Sequence, residues 1–236
     1  MRRAHTLLTL LVVAAMLLSM LAAALSPRPA AAQAGPCLAP ANAIVAENCL
    51  PGNPATDWDL SSASSTTIEG FATDISVNKG QTARFKVKTA ATAYHIDLYR
   101  VGYYGGLGAR KIATIPNSAT VKQSQPACLN DPTTGLIDCG NWAVSASWTV
   151  PATAVSGIYL AKLVREDATP GANHVVFVVR DDDGNAPLLF QTSDTTWQAY
   201  NSYGDFPDTD GDGLTEGASL YVNKAFNNGL DRAYKV

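Results

Sequence analysis

Three aspartates at alternating positions, Asp208, Asp210 and Asp212, run into Gly213 and are followed by Glu216. Carboxylates at every second position can converge on one hard cation, and a glycine makes the sharp turn such a loop needs, so the pattern matches the first half of an EF-hand-type Ca2+ loop. Ser219 stands at the twelfth position, where such loops carry a bidentate glutamate, and Glu216 at the ninth would have to compensate. A solvated acidic turn is the alternative, and the pattern leaves both readings open.

A second stretch with chemical potential lies just before it. Pro187-Leu188-Leu189-Phe190 enters a dense polar and aromatic segment, Gln191 to Tyr203. An apolar run that ends this way has the form of a buried strand delivering side chains to a site at its carboxyl end. Asp194, Trp197, Gln198 and Asn201 are the candidate lining residues, with Tyr200 among them.

Other chemistry-bearing residues read more plainly as structure. His95 and His174 fall inside apolar strand patterns, and a proton-transfer role for either would need a carboxylate that sequence alone does not place. The loop Arg100-Val101-Gly102-Tyr103-Tyr104-Gly105-Gly106-Leu107-Gly108-Ala109-Arg110 is glycine-rich. It lacks the following helix and the Lys-Ser/Thr pair of a phosphate-binding loop. It is expected to be a tight aromatic turn packing against the next domain. Trp58, between Asp57 and Asp59, is expected to plug the edge of a core.

The elements that would position these residues are short strands separated by turns. Candidates are residues 68–72, 83–88, 94–101, 143–150, 158–164 and 174–179. In the second, Phe85 and Val87 alternate with Arg84, Lys86 and Lys88, so one face is buried and the other wet. Six or seven such strands without a helical pattern indicate an antiparallel β-sandwich of immunoglobulin or fibronectin type over residues 35–183. Tyr159, after the turn at Ser156-Gly157, sits where a corner tyrosine could bond back to the backbone. Before the strands, residues 35–53 read as irregular because of their prolines.

Composition supplies an address. Arg2 and Arg3 precede an apolar run from Leu7 to Leu25, and small residues around Ala32 and Ala34 offer cleavage sites, so residues 1–34 read as a secretory signal peptide. An uncleaved membrane anchor is the alternative. The expected protein is secreted and meets a membrane only during export. The four cysteines, Cys37, Cys49, Cys128 and Cys139, form two close pairs without CxxC spacing. Local disulfides Cys37–Cys49 and Cys128–Cys139 are the simplest of three connectivities, and zinc ligation is disfavoured by the oxidising compartment. The net charge is −3 with no basic stripe, so nucleic acid is not an expected partner.

Several segments together resemble one family. These are residues 70–80, the loop Tyr99 to Gly106 with Gly108-Ala109-Arg110, Cys139-Gly140-Asn141-Trp142, Ser156-Gly157-Ile158-Tyr159, and Asp194-Thr195-Thr196-Trp197-Gln198-Ala199-Tyr200-Asn201. The combination resembles exported bacterial proteins related to the large (beta) subunit of N,N-dimethylformamidase. The resemblance implies a sandwich followed by an α/β domain similar to glutamine-amidotransferase folds, here residues 184–236 with an acidic insertion at 205–218. It also implies a mononuclear iron held by two tyrosines and a glutamate, falling on Tyr200 and Tyr221, and an amidohydrolase acting on a small-molecule amide.

Hard phenolate and carboxylate ligands suit a Lewis-acidic ferric ion. The glutamate of this family lies in a His-Asp-Glu-Tyr-like motif that does not occur before Val236. The chain is therefore expected to be a fragment, inactive alone, whose parent is an iron-dependent amidohydrolase. The alternative is a non-catalytic extracellular module that binds a surface polymer and carries a calcium loop.

Overall fold

A computed structural model of the chain describes residues 35–60, 65–116, 124–131, 136–201 and 203. Two compact units are distinguished, Met1–Pro40 and Ala41–Val236. In the first, residues 35–40 form a turn closed by Leu38 N–H donating to the Gly35 carbonyl at 2.8 Å. All the elements named below belong to the second. No helix among the described residues is long and apolar enough to cross a membrane.

Two short helices lead in, α1 (Ala43–Asn48) and α2 (Ala55–Trp58). Ten strands follow: β1 (Ile68–Ala72), β2 (Ser76–Asn78), β3 (Thr82–Thr89), β4 (Tyr94–Val101), β5 (Ala109–Ile115), β6 (Leu129–Asp131), β7 (Leu136–Asp138), β8 (Ala146–Thr149), β9 (Gly157–Arg165) and β10 (Ala172–Arg180). Helix α3 (Asp194–Tyr200) closes the order. One sheet runs β2-β10-β9-β4-β5, a second β1-β3-β8, and β6 with β7 makes a separate hairpin. The architecture is the mainly β sandwich that the strand pattern predicts, with one correction: β2 pairs with β10 in parallel.

The alternation on β3 is the simplest link from sequence to core. Ala83, Phe85 and Val87 are buried while Arg84 and Lys88 are exposed. Phe85 meets Phe177 of β10 edge-on, ring centroids 5.5 Å apart, and Val87, Ile96, Leu98, Ala161, Leu163 and Val179 complete the layer between the sheets. Full burial of such side chains is worth roughly 1.5–3 kcal/mol each, which makes this layer the main source of stability.

The structure revises one expectation and adds two features that the strand pattern did not show. Residues 43–48 are helical, because Asn42 caps α1 by accepting from Val45 N–H at 3.0 Å and because Glu47 is tied into the fold from the far side. A six-residue helix has little stability of its own and relies on that tertiary contact. Next, β5 begins where the glycine loop ends and shows only weak burial alternation, so period two does not reveal it. Finally, among the described residues the glycine loop packs against the segment that precedes the sandwich. Tyr103 N–H donates to Asn48 Oδ1, and the Trp58 indole donates to the Leu107 carbonyl at 3.1 Å. Gly108 has φ 87°, and a Cβ there would lie 2.7 Å from the Trp58 ring, so only glycine fits this corner.

The loop is braced by Arg100, which is 4% exposed. Its guanidinium donates to Tyr104 Oη at 3.0 Å, to the Ser156 carbonyl at 2.8 Å and to the Val155 carbonyl at 3.3 Å. Tyr104 Oη in turn donates to Glu47, which also pairs with Arg110 at 2.7 Å. Tyr104 holds a positive φ of 43°, a conformation that a non-glycine residue keeps only when its surroundings impose it. Tyr159 forms the predicted corner, its hydroxyl donating to the Val155 carbonyl at 2.8 Å.

Arg100 and Tyr159 thus share one acceptor. Tyr159→Phe should cost about 1 kcal/mol, and Arg100→Met about 2–4 kcal/mol because it also strands the Ser156 carbonyl. The double variant should lose measurably less than the sum in urea unfolding, and strict additivity would show that the two bonds are independent.

Candidate functional site

Helix α3 carries most of the candidate residues. The apolar run before it is not a strand here: Leu188, Leu189 and Phe190 are 87%, 96% and 78% exposed, and no described strand pairs with them. An apolar run looks the same in sequence whether or not a ladder receives it. Asp194 lies in the first turn of α3, where a carboxylate suits the helix dipole, and accepts from Thr192 Oγ1 at 2.8 Å. Its other oxygen, and Gln198 Oε1 one turn later, are buried without a hydrogen-bond partner. Trp197 and Tyr200, spaced i and i+3, are neighbours on the helix surface and both exposed, at 49% and 61%. At 3.6 residues per turn, Tyr200 lies roughly 120–160° around the helix from Asp194 and Gln198. The helix therefore turns Tyr200 away from the two unpartnered acceptors, with Trp197 between.

The end of α3 is tied to the sandwich through Tyr203. Asn201, the C-cap, accepts from Tyr203 N–H at 2.9 Å. The Tyr203 hydroxyl donates to Glu69 of β1 at 3.2 Å, and its ring meets Trp142 edge-on at 6.4 Å. Burial, reinforced by the Glu69 carboxylate, raises the Tyr203 pKa well above its ordinary value, so it is a neutral donor.

Its seat is a second, small core of Ile137, Cys139 and Trp142, with Phe71 and Cys128 against it. The Cys128–Cys139 disulfide closes this seat, and Cys37 and Cys49 are also disulfide-bonded. Two further bonds fix it: Asn141 Nδ2 donates to the Ala127 carbonyl at 2.7 Å and Trp142 Nε1 to the Pro126 carbonyl at 3.0 Å.

A groove of about 1170 Å3 opens elsewhere, between residues 53–60 and the outer face of the five-stranded sheet. Here His95 has the carboxylates that sequence could not place: Nδ1 lies 2.8 Å from Glu166 and Nε2 3.5 Å from Asp97. Asp97 also pairs with Lys111 at 2.7 Å and accepts from Thr114 at 2.6 Å. Burial pushes its carboxyl up, but Lys111 and Thr114 outweigh it and hold the pKa below the usual value. The signal for His95 and Asp97 was their spacing of two on a strand, which puts both on one face; nothing marked Glu166.

The groove's other wall is held by its backbone. Lys162 donates to the carbonyls of Asp57 and Asp59 at 2.8 and 3.0 Å, Tyr99 to that of Asp57 at 3.2 Å, and His174 Nε2 to that of Trp58 at 2.7 Å. Burial, with Asp97 and Asp57 nearby, pushes the Tyr99 phenol up to about 12.

The sequence profile of the N,N-dimethylformamidase beta subunit-like, C-terminal family matches residues 95–236. The chain belongs to this family. Among curated proteins nothing matches. Among solved structures the chain is similar to domain 1 of VCBP3 from Branchiostoma floridae, with 8% identity and a TM-score of 0.29 over 49% of this chain and 96% of that one, a likeness too slight to carry any functional argument.

The region matched by the N,N-dimethylformamidase-like family starts at the second residue of β4 and includes the hairpin, its disulfide and all of α3. Phe71 and Glu69, which complete the seat of Tyr203, come from β1 outside that region. An iron of the kind the family resemblance implies needs hard oxygen donors. Of its expected ligands only Tyr200 is described, and its exposed phenol on a tethered helix end fits that role; Tyr221 and the acidic loop Asp208, Asp210, Asp212 and Glu216 lie outside the described residues, as does the segment read as a signal peptide. Among the described residues no cluster of three or more His, Cys, Asp or Glu could hold a metal ion.

The wall of the groove should loosen with acid. Burial foremost, and the Lys162 ammonium after it, depress the His174 pKa below 6.5 against the pull of the Trp58 carbonyl. As pH falls below about 6.5 the unfolded chain binds a proton before the folded one, so stability drops until the folded pKa is passed. His174→Gln keeps an N–H donor without the titration. Urea midpoints between pH 7.5 and 5 should fall more for the native protein than for this variant; parallel curves would refute the assignment.

Proposed function

We propose that this protein is part of an exported, iron-dependent amidohydrolase of the N,N-dimethylformamidase-like class, in which the sandwich serves as the platform for the helix bearing Tyr200. The observation that carries the reading is that the family match runs through α3, where Trp197 and Tyr200 share the exposed face. Two disulfides support export, since such bonds persist in oxidising compartments.

Tyr200 would hold the metal through its phenol oxygen, with Tyr221 as the second oxygen donor. Bound iron supplies Lewis-acid polarisation of an amide carbonyl and a water acidic enough to act near neutral pH. The chain's own residues do the positioning: Trp197 offers an exposed ring one turn before Tyr200 against which a planar amide can lie, and Asn201 and Tyr203 fix the helix end. The full-length parent, isolated after export, should contain iron, show a phenolate-to-iron absorption band and release dimethylamine from N,N-dimethylformamide. Tyr200→Phe should lose the band and lower iron affinity at least ~10-fold, as loss of a ligand should exceed the loss of a ligand's support. Native protein that takes up no iron would overturn the reading.

The groove beside His95 favours a second reading, a non-catalytic module that binds a surface polymer, with the acidic loop as a calcium site. It is supported by a cleft of mixed polar and apolar lining in which His95, Asp97 and Lys111 already engage charged partners, a surface suited to neutral hydroxyl-rich ligands. Calorimetric titration with Ca2+ should give heat that Asp210→Ala abolishes; no heat from the native protein removes the calcium site.

A further inference from the structure

We infer that Tyr203 is a positioning residue for Tyr200, and that the hairpin closed by the Cys128–Cys139 disulfide is the socket that makes this possible. The inference deepens the reading of Tyr200 as a metal ligand and rests on it for its functional meaning. Its geometric part stands independently.

Helix α3 has seven residues, too few to hold its shape unaided, and its N-cap Ser193 makes no side-chain capping bond. The preceding Leu188–Phe190 stretch is exposed and lends it no support. At its C-terminal end Ala199 is buried, and Asn201 and Tyr203 tie the chain just beyond it to the sandwich. Asn201 Oδ1 receives Tyr203 N–H, and Tyr203 is plugged into the sandwich by Glu69 and Trp142. Tyr200 is the last helical residue, so the tether acts within one turn of it.

The socket is built for stiffness. Trp142 is 3% exposed and Cys139 1%. The Trp142 ring is held from one side by Phe71 at 5.7 Å, while the ammonium of Lys88 lies 5.7 Å from its centroid. The disulfide, the Asn141–Ala127 bond and the Trp142–Pro126 bond clamp residues 139–142 onto 126–128. Without the disulfide, a hairpin of two three-residue strands would leave Trp142 held by the Phe71 contact and two hydrogen bonds alone. A bond formed on export is thereby coupled to the placement of a residue sixty positions downstream.

The test is amide hydrogen exchange on the full chain, reading α3 against β9 as an internal reference for the sandwich. Tyr203→Ala should raise exchange in α3 about tenfold or more while β9 is unchanged. Tyr203→Phe keeps the ring and should retain most of the protection. Replacing Cys128 and Cys139 together by Ser should expose α3 as Tyr203→Ala does; if that variant loses its β9 protection as well, Tyr203→Ala decides. Unchanged α3 exchange in Tyr203→Ala with an intact sandwich would overturn the inference. Iron uptake separates the two proposals. If α3 is released as expected but the native protein binds no iron, the tether stands and the metal reading falls; if iron binds, Tyr203→Ala should weaken its uptake and shift its absorption band, and Tyr203→Phe should restore both.

Discussion

A buried guanidinium governs much of this fold. The guanidinium of Arg100 is a fork of N–H donors, each of which must find an acceptor once the sandwich closes. The acceptors it finds belong to three otherwise unrelated pieces of chain: the glycine loop through Tyr104, the corner before β9 through Val155 and Ser156, and, one bond further, helix α1 through Glu47. Satisfying one charge thus fixes the end of the five-stranded sheet. It also accounts for the unusual backbone of Tyr104, since the phenol can reach Arg100 and Glu47 together in that conformation.

Beyond that corner the protein has two apolar centres with different tasks. The large one, between the sheets, combines aliphatic side chains with a ring cluster of Phe85, Phe177, Tyr159 and Trp148 and determines whether the sandwich forms. The small one, under the β6–β7 hairpin, is set apart by its disulfide and lies beside the chain that leaves the sandwich. Most of the segments that mark the family belong to one or other of these ties. Cys139-Gly140-Asn141-Trp142 forms the socket, the glycine loop makes the corner, and Ser156-Gly157-Ile158-Tyr159 supplies the tyrosine that closes it.

What was legible in sequence is what local pattern controls. The face of β3 followed from alternation, the extents of β1 and β4 from their β-prone residue runs, and the Tyr159 corner and the Cys128–Cys139 bridge from spacing. The misses depend on distant partners. Helix α1 stands because Glu47 meets Arg110, and Tyr203 lay within the stretch singled out for chemistry but had no visible role, since Glu69 is 134 residues earlier. The Leu188–Phe190 run was misread because apolarity states a need for cover without saying that cover is present. Asp194, Gln198 and Tyr200 were placed in one segment correctly, but helical rather than extended geometry turns them to different faces.

The strap at residues 57–59 is gripped by its carbonyl oxygens, by Lys162, Tyr99 and His174, and not by the side chains of Asp57 or Asp59. Every residue type presents the same carbonyl. The side chains that line the groove from this wall can therefore be exchanged over evolutionary time without releasing it, so the chemistry of the cleft is free to drift while its shape is inherited.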